Sequence, residues 1–167
     1  MSTKPTSQDI LNKLETIKVK IDAFSSTITA FRGLETPQQG ILTYTRALEL
    51  KGLLESTTAD LNNVQKPVPR EYGLQAVNIS KEYRDTLKSL APVVIAKANL
   101  FAALPVGSNL SMSLIAQMLK GMHTSVINTA NAMIDNGPDD SEDLKEEGRA
   151  IRNEIDEMLK KIVFAYQ

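Results

Sequence analysis

Cysteine is absent from the 167 residues, and tryptophan with it. The first absence removes disulfides, thiolate metal sites and cysteine nucleophiles together. Aromatic residues make up only 5% of a chain that is 42% hydrophobic, a balance that favours aliphatic helices over a strand-rich sandwich. Charge of one sign is also missing: 19 Lys and Arg stand against 20 Asp and Glu. No net field recruits nucleic acid or an anionic membrane, so neither is an expected partner. With one histidine, His123, a Ser-His-Asp arrangement would have to use that residue, and Ser125 two positions on lies on a different helical face. The expectation is a residue at a bundle edge and a protein that is not an enzyme. Glycine-rich phosphate loops are lacking, so no nucleotide cofactor is expected. The acidic run from Asp135 puts Asp140 where a calcium loop needs glycine, so it reads as the start of a helix rather than a metal site. The opening MSTKPTSQDI has no apolar core of a signal peptide. A secreted protein would then be represented here by its mature domain.

What the chain does have is helical periodicity. From about Gln8 to Arg32, Ile10, Leu14, Ile17, Ile21, Phe24, Ile28 and Phe31 recur at alternating spacings of four and three, the mark of one buried helix face. Gly33, followed by Leu34, predicts a left-handed cap. Thr36-Pro37-Gln38-Gln39 predicts a capping box opening a second helix, with Ile41, Tyr44, Leu48, Leu50, Leu54, Thr57 or Thr58, Leu61 and Val64 inward, ending before Pro67. A third run, about Glu71 to Leu104, carries Ala76, Ser80, Tyr83, Leu87, Leu90, Val94, Ala98 and Phe101 on one stripe, and Pro92 predicts a kink or break within it. The last helix starts in the acidic cluster 139–143 and places Leu144, Ile151, Ile155, Leu159, Ile162 and Tyr166 inward.

Between these lies SNLSMSLIAQMLKGMHTSVINTANAMI, from Ser108 to Ile134, with Lys120 as its one full charge. Apolar residues around nearly its whole circumference predict a helix enclosed by others. Ser, Asn, Gln and Thr interrupt it too often for a membrane span. Its methionines suit an adaptable lining. The fold expected is all-α: a single domain over residues 1–167, a five-helix bundle with a kinked or broken third helix (Pro92) and a central apolar cavity.

The helical faces nominate the residues lining that cavity. They are Phe24 and Phe31 on the first helix, Tyr44 and Leu48 on the second, and Tyr83, Leu87 and Phe101 on the third. The Met-rich helix adds Ile115, Met118, Leu119, Met122, Ser125, Val126, Thr129 and Met133, and the last helix Ile151 and Ile155. Hydroxyls at Tyr44, Thr57, Thr58, Ser80, Tyr83, Ser125 and Thr129 either bond back to the carbonyl four residues earlier or hold the polar head of an apolar ligand. Asn78 and Asn109 begin glycosylation triplets, which favour a secretory route, and Asn78 is expected on the solvent side.

The run VVIAKANLF (Val93 to Phe101), the loop PVGSN and the segment LIAQMLKGMHTSVINTANAMI together resemble the fungal antigenic cell wall galactomannoprotein family, also called the hydrophobic surface binding protein A family. The first helix ending in Phe-Arg-Gly, Leu48, Leu54 and Leu61 on the second, and the closing Leu144 to Ile162 pattern extend the resemblance over almost the whole chain. It implies a secreted or cell-wall, all-helical domain whose partner is a long-chain fatty acid or similar lipid; a self-contained bundle of this size needs no second copy, so a monomer is expected. The alternative it implies is an adhesion protein that coats hydrophobic surfaces or recruits a partner without an internal ligand. The chain departs from the family's full-length pattern in having no signal peptide and no Ser/Thr-rich wall-attachment tail. No residue-level head-group motif carries over.

Overall fold

Thr6 opens the first helix, α1 (Ser7–Ala30), with a reciprocal cap: its hydroxyl accepts from the Asp9 amide at 3.1 Å while its own amide donates to Asp9 Oδ2 at 2.8 Å. Two otherwise orphaned donors are thereby satisfied. The computed structural model describes residues 3–104 and 110–167. After α1 come a 3₁₀ turn (Gly33–Glu35), α2 (Pro37–Asn62), α3 (Arg70–Ala96), the short α4 (Ala98–Ala102), α5 (Met112–Asp135) and α6 (Glu142–Ala165). Among the described residues the architecture is all-α, with five long helices and a bent third helical segment.

Gly33 takes the left-handed conformation expected of it, at φ 66°. Leu34 behind it is 63% exposed and forms no hydrophobic clasp. The capping box expected at Thr36 is absent. Its hydroxyl instead accepts from the Arg32 amide at 2.7 Å, so it closes the turn behind it.

The buried face of α2 is Gly40, Thr43, Ala47, Leu50, Leu54, Thr57 and Leu61, which corrects the reading that turned Ile41 and Leu48 inward. Those two are 45% and 44% exposed. At Gly40 the α1 end comes too close for a side chain. A Cβ on Gly40 would stand 2.8 Å from Phe31 Cε2.

The chain stays helical through Pro92 and breaks at Lys97, between α3 and α4. Proline orphans the carbonyl of Lys88, but Lys88 and Pro92 are both exposed, so water can take that carbonyl. At the break, Lys97 Nζ donates to the carbonyls of Phe31 at 2.6 Å and Thr29 at 3.4 Å, placing a cation on the negative end of α1.

The start of α5 is capped by Ser111, whose hydroxyl accepts from the Leu114 amide at 3.1 Å. The cap expected at Ser108 lies outside the described residues. Nor is α5 enclosed on all sides. Ser113, Gln117, Lys120, Thr124 and Asn128 form an exposed polar stripe, and only the opposite face, Ile115, Met118, Met122, Ser125, Thr129 and Ala132, is buried.

The five long helices close a ring. Helix α1 packs along α2, α2 along α5, α5 along α6, α6 along α3, and α3 along α1, and no two helices facing each other across the ring pack along their lengths. The geometry leaves a hollow. At an interaxial spacing of about 9 Å, five axes on a regular pentagon lie about 8 Å from its centre, whereas a helix with its side chains reaches only about 5–6 Å. One end of the hollow is plugged by Phe31, Phe101 and Tyr166, with ring centroids 4.3 Å and 6.0 Å apart along that series. The other is where α1, α3 and α6 begin and α2 and α5 end. It is tied by Gln65 N to Pro5 O at 2.8 Å, Lys66 Nζ to Asn136 O at 2.8 Å, and an ion pair of Arg70 with Asp143.

Candidate functional site

An apolar cavity of about 250 Å³ occupies the hollow. Packing voids in protein interiors are rarely larger than a water molecule, so this volume is a feature of the fold. Its walls are the inward stripes of all five helices. On α1 they run from Ser7 to Phe24, about 25 Å at 1.5 Å per residue.

Of the residues nominated from the sequence, Phe24, Tyr83, Leu87, Met118, Leu119, Met122, Val126, Thr129, Met133, Ile151 and Ile155 line this cavity. The other six stand elsewhere. Tyr44, Phe101 and Ile115 border a separate void of about 20 Å³ near the plugged end. Phe31 is fully buried in the plug against Phe101. Ser125 is turned toward α2, where its hydroxyl lies 3.4 Å from Glu55 Oε1, and Leu48 faces solvent. The two phenylalanines sit high because they come at the end of α1 and in α4, beyond the span of the hollow.

Much of the wall comes from residues beyond those nominated. Ile10, Leu11, Leu14, Ile17 and Ile21 of α1, Ala47, Leu50, Leu54 and Leu61 of α2, and Val64 just beyond the end of α2 all line it. Their signal was the same spacing of three and four that predicted the helices. What spacing does not show is whether an inward stripe meets another stripe or a hollow.

The nominated hydroxyls that reach the wall are already engaged. Ser80 Oγ donates to Ala76 O at 2.8 Å, and Thr129 Oγ1 lies 2.9 Å from Ser125 O, 3.2 Å from Leu54 O and 2.9 Å from Thr58 Oγ1. Tyr83 OH donates across to Leu14 O, and burial pushes the Tyr83 phenol above its ordinary pKa. Thr129 thereby joins α5 to α2 and Tyr83 joins α3 to α1, while Ser80 bonds back within its own helix. Among the described residues the wall's full charges are Lys145 and Arg152, both on α6, and none of its residues is a carboxylate.

His123 Nε2 lies 2.6 Å from Asp156 Oδ1, bridging α5 to α6, and Lys160 reaches the other oxygen of that carboxylate at 2.9 Å. Lys160 first, and His123 second, hold the Asp156 carboxyl below its ordinary pKa. His123 and Ser125 thus serve different neighbours. Among the described residues no group of His, Asp and Glu could hold a metal ion, and no helix is long and apolar enough to cross a membrane. Asn78 is exposed on α3, while Asn109 lies outside the described residues.

No family model matches the sequence, and no curated protein does. Solved structures do match by shape. The crystal structure of Afmp4p in complex with palmitic acid superposes with a TM-score of 0.81 at 17% identity, over 96% of this chain and 99% of that one. Ligand binding domain 1 of the Penicillium marneffei MP1 protein, complexed with arachidonic acids, superposes with a TM-score of 0.76 at 15% identity, over 93% and 95%. At such identities the likeness is one of fold, and the fold of this chain is that of fungal helical domains whose solved structures hold fatty acids.

Proposed function

We propose that the protein binds a long-chain fatty acid or similar lipid in the hollow of its helical ring, as a binding protein without catalysis, in a secreted or cell-wall setting. The observation that carries the reading is the apolar cavity along the ring axis. The fatty acids bound by the two proteins of like fold support it. Each buried methylene contributes about 0.8 kcal/mol, so about 15 of them give about 12 kcal/mol gross. Association and ordering costs of several kcal/mol reduce this and still leave micromolar or tighter binding. The thioethers of Met118, Met122 and Met133 let the wall follow chains of different length and unsaturation.

Solvent extraction of the purified protein followed by mass spectrometry, with added palmitate and arachidonate, is the direct test. A stoichiometric lipid is expected. A folded protein that carries none and takes up neither acid refutes the reading. The extracellular setting is tested by expression in a fungal host with a secretory leader: a mass shift removed by an N-glycan hydrolase and abolished by Asn78→Gln is expected, and unmodified secreted Asn78 counts against it.

A second reading, adsorption to hydrophobic surfaces, is favoured by one observation: Ile41 and Leu48, seven residues apart on α2, are both exposed, on the same outer face. Replacing both by lysine would abolish adsorption to polystyrene beads on that reading and leave palmitate uptake unchanged.

A further inference from the structure

The cavity wall has a charge pattern that an acyl chain alone does not require. Lys145 and Arg152 are its two charged residues, both positive, seven positions apart on the side of α6 that faces α5. Neither has a carboxylate within ion-pair distance among the described residues. The nearby Glu142 is committed to Arg149 at 2.9 Å, which holds its carboxyl below the ordinary pKa. Arg152 Nη1 donates to Asn131 Oδ1 on α5 at 2.9 Å, and its Nε and Nη2 reach Asn153 Oδ1 at 3.3 and 3.1 Å. Its partners are neutral amides that fix the guanidinium and leave its charge uncompensated.

Burying an ionised head group without a partner is prohibitive. The interior hydroxyls cannot supply that partner, because Ser80, Tyr83 and Thr129 already donate to backbone carbonyls. Tyr72 brings a phenol to the wall, but a neutral hydroxyl would hold an alcohol as readily as an acid. A cation discriminates between them.

We infer that Lys145 and Arg152 form an anion-reading edge of the cavity, so that the ligand is an ionised carboxylate amphiphile whose head lies at the α5–α6 seam and whose chain runs along the ring axis. This rests on the lipid-binding reading and narrows it from lipids in general to free acids. Three of the five guanidinium donors go to Asn131 and Asn153; the other two, with the mobile charge of the lysine, remain for a carboxylate's two oxygens.

The test compares palmitate with hexadecanol, the same chain with an uncharged head, on delipidated protein at neutral pH. Wild type is expected to prefer palmitate. The double variant Lys145→Gln/Arg152→Gln should lose about tenfold or more in palmitate affinity, the loss expected for a charged hydrogen bond, and keep its hexadecanol affinity. Lys120→Gln removes a positive charge from the exposed outer stripe of α5, away from the cavity, and should leave both affinities and the preference for palmitate unchanged. A double variant that binds palmitate like wild type, or that loses both lipids equally, overturns the inference while lipid binding stands. A wild-type protein that takes up neither lipid overturns both.

Discussion

Gly40 and Gly52 lie on the same helix and respond oppositely to an added methyl group. A Cβ at Gly52 meets nothing within 4 Å, whereas one at Gly40 meets the ring of Phe31 at 2.8 Å. Gly52→Ala should therefore stabilise by about 0.5–1 kcal/mol, the helix propensity difference. Gly40→Ala has the same gain but must displace a fully buried ring, and overpacking of about 1–3 kcal/mol makes it a net loss of about 1 kcal/mol. Urea midpoints of the two variants on either side of wild type are the check. The tyrosines make a pH prediction. Burial raises the phenol pKa of Tyr83 and Tyr166 above the ordinary 10.0, and Tyr166 OH donates to Val94 O at 2.7 Å. A group whose folded pKa is raised contributes stability that is fully present below its unfolded pKa and lost as pH rises beyond it. Stability should thus fall above about pH 10, the ordinary tyrosine value. Tyr166→Phe should cost about 1 kcal/mol at neutral pH and shrink that alkaline loss. At this scale the sequence misleads where size opposes hydrophobicity: Ile41 and Leu48 look like core residues, yet the inner positions belong to Gly40, Thr43 and Ala47.

Elements were more legible than residues. The spacing of apolar side chains located all five long helices, because period 3.6 is a property of each helix alone. The exceptions each needed information from a neighbour. Pro92 predicts a kink or break, and the third helical segment is bent, but the break itself falls at Lys97, where an ammonium meets the end of α1. The Met-rich helix reads as enclosed, but its Ser113, Gln117, Lys120, Thr124 and Asn128 stripe is outward. At the ends of α3 and α6, Arg70 holds the Asp143 carboxyl down to about 2 from 3.8. A depressed carboxylate contributes above its unfolded pKa and loses that contribution as pH falls through the folded value. The clamp should therefore release between about pH 4 and 2. An NMR titration of the Asp143 carboxyl carbon should give a midpoint near 2, returning to the ordinary range in Arg70→Gln. An ordinary midpoint in wild type would show the clamp to be absent in solution.

The whole molecule is a ring, and the ring is why there is a hollow. Five helical stripes, each of ordinary amphipathic spacing, could equally surround a solid core. Only the closure α1–α2–α5–α6–α3 separates the two outcomes, and that closure depends on contacts between segments far apart in sequence. The nominated Met118, Met122, Met133, Tyr83, Leu87 and Ile155 lie on the hollow because they share its level. Phe31 and Phe101 lie above it, a distinction of height that a single helix does not display. A ligand that binds only the folded ring must also stabilise it, by about 2.7 kcal/mol at a hundredfold excess over Kd, so palmitate should raise Tm in a concentration-dependent way. Met122→Trp should fill the space and reduce both lipid uptake and this stabilisation while helicity is retained.

The methionines report on the hollow directly. Met118, Met122 and Met133 line it, while Met112 and Met158 do not. In protein labelled with ¹³C at the methionine methyls, titration with palmitate should shift the signals of Met118, Met122 and Met133 and give Overhauser contacts from those methyls to acyl methylenes, with Met112 and Met158 little changed. Saturable palmitate binding that leaves those three methyls unshifted and without acyl contacts would place the ligand outside the ring and contradict the account.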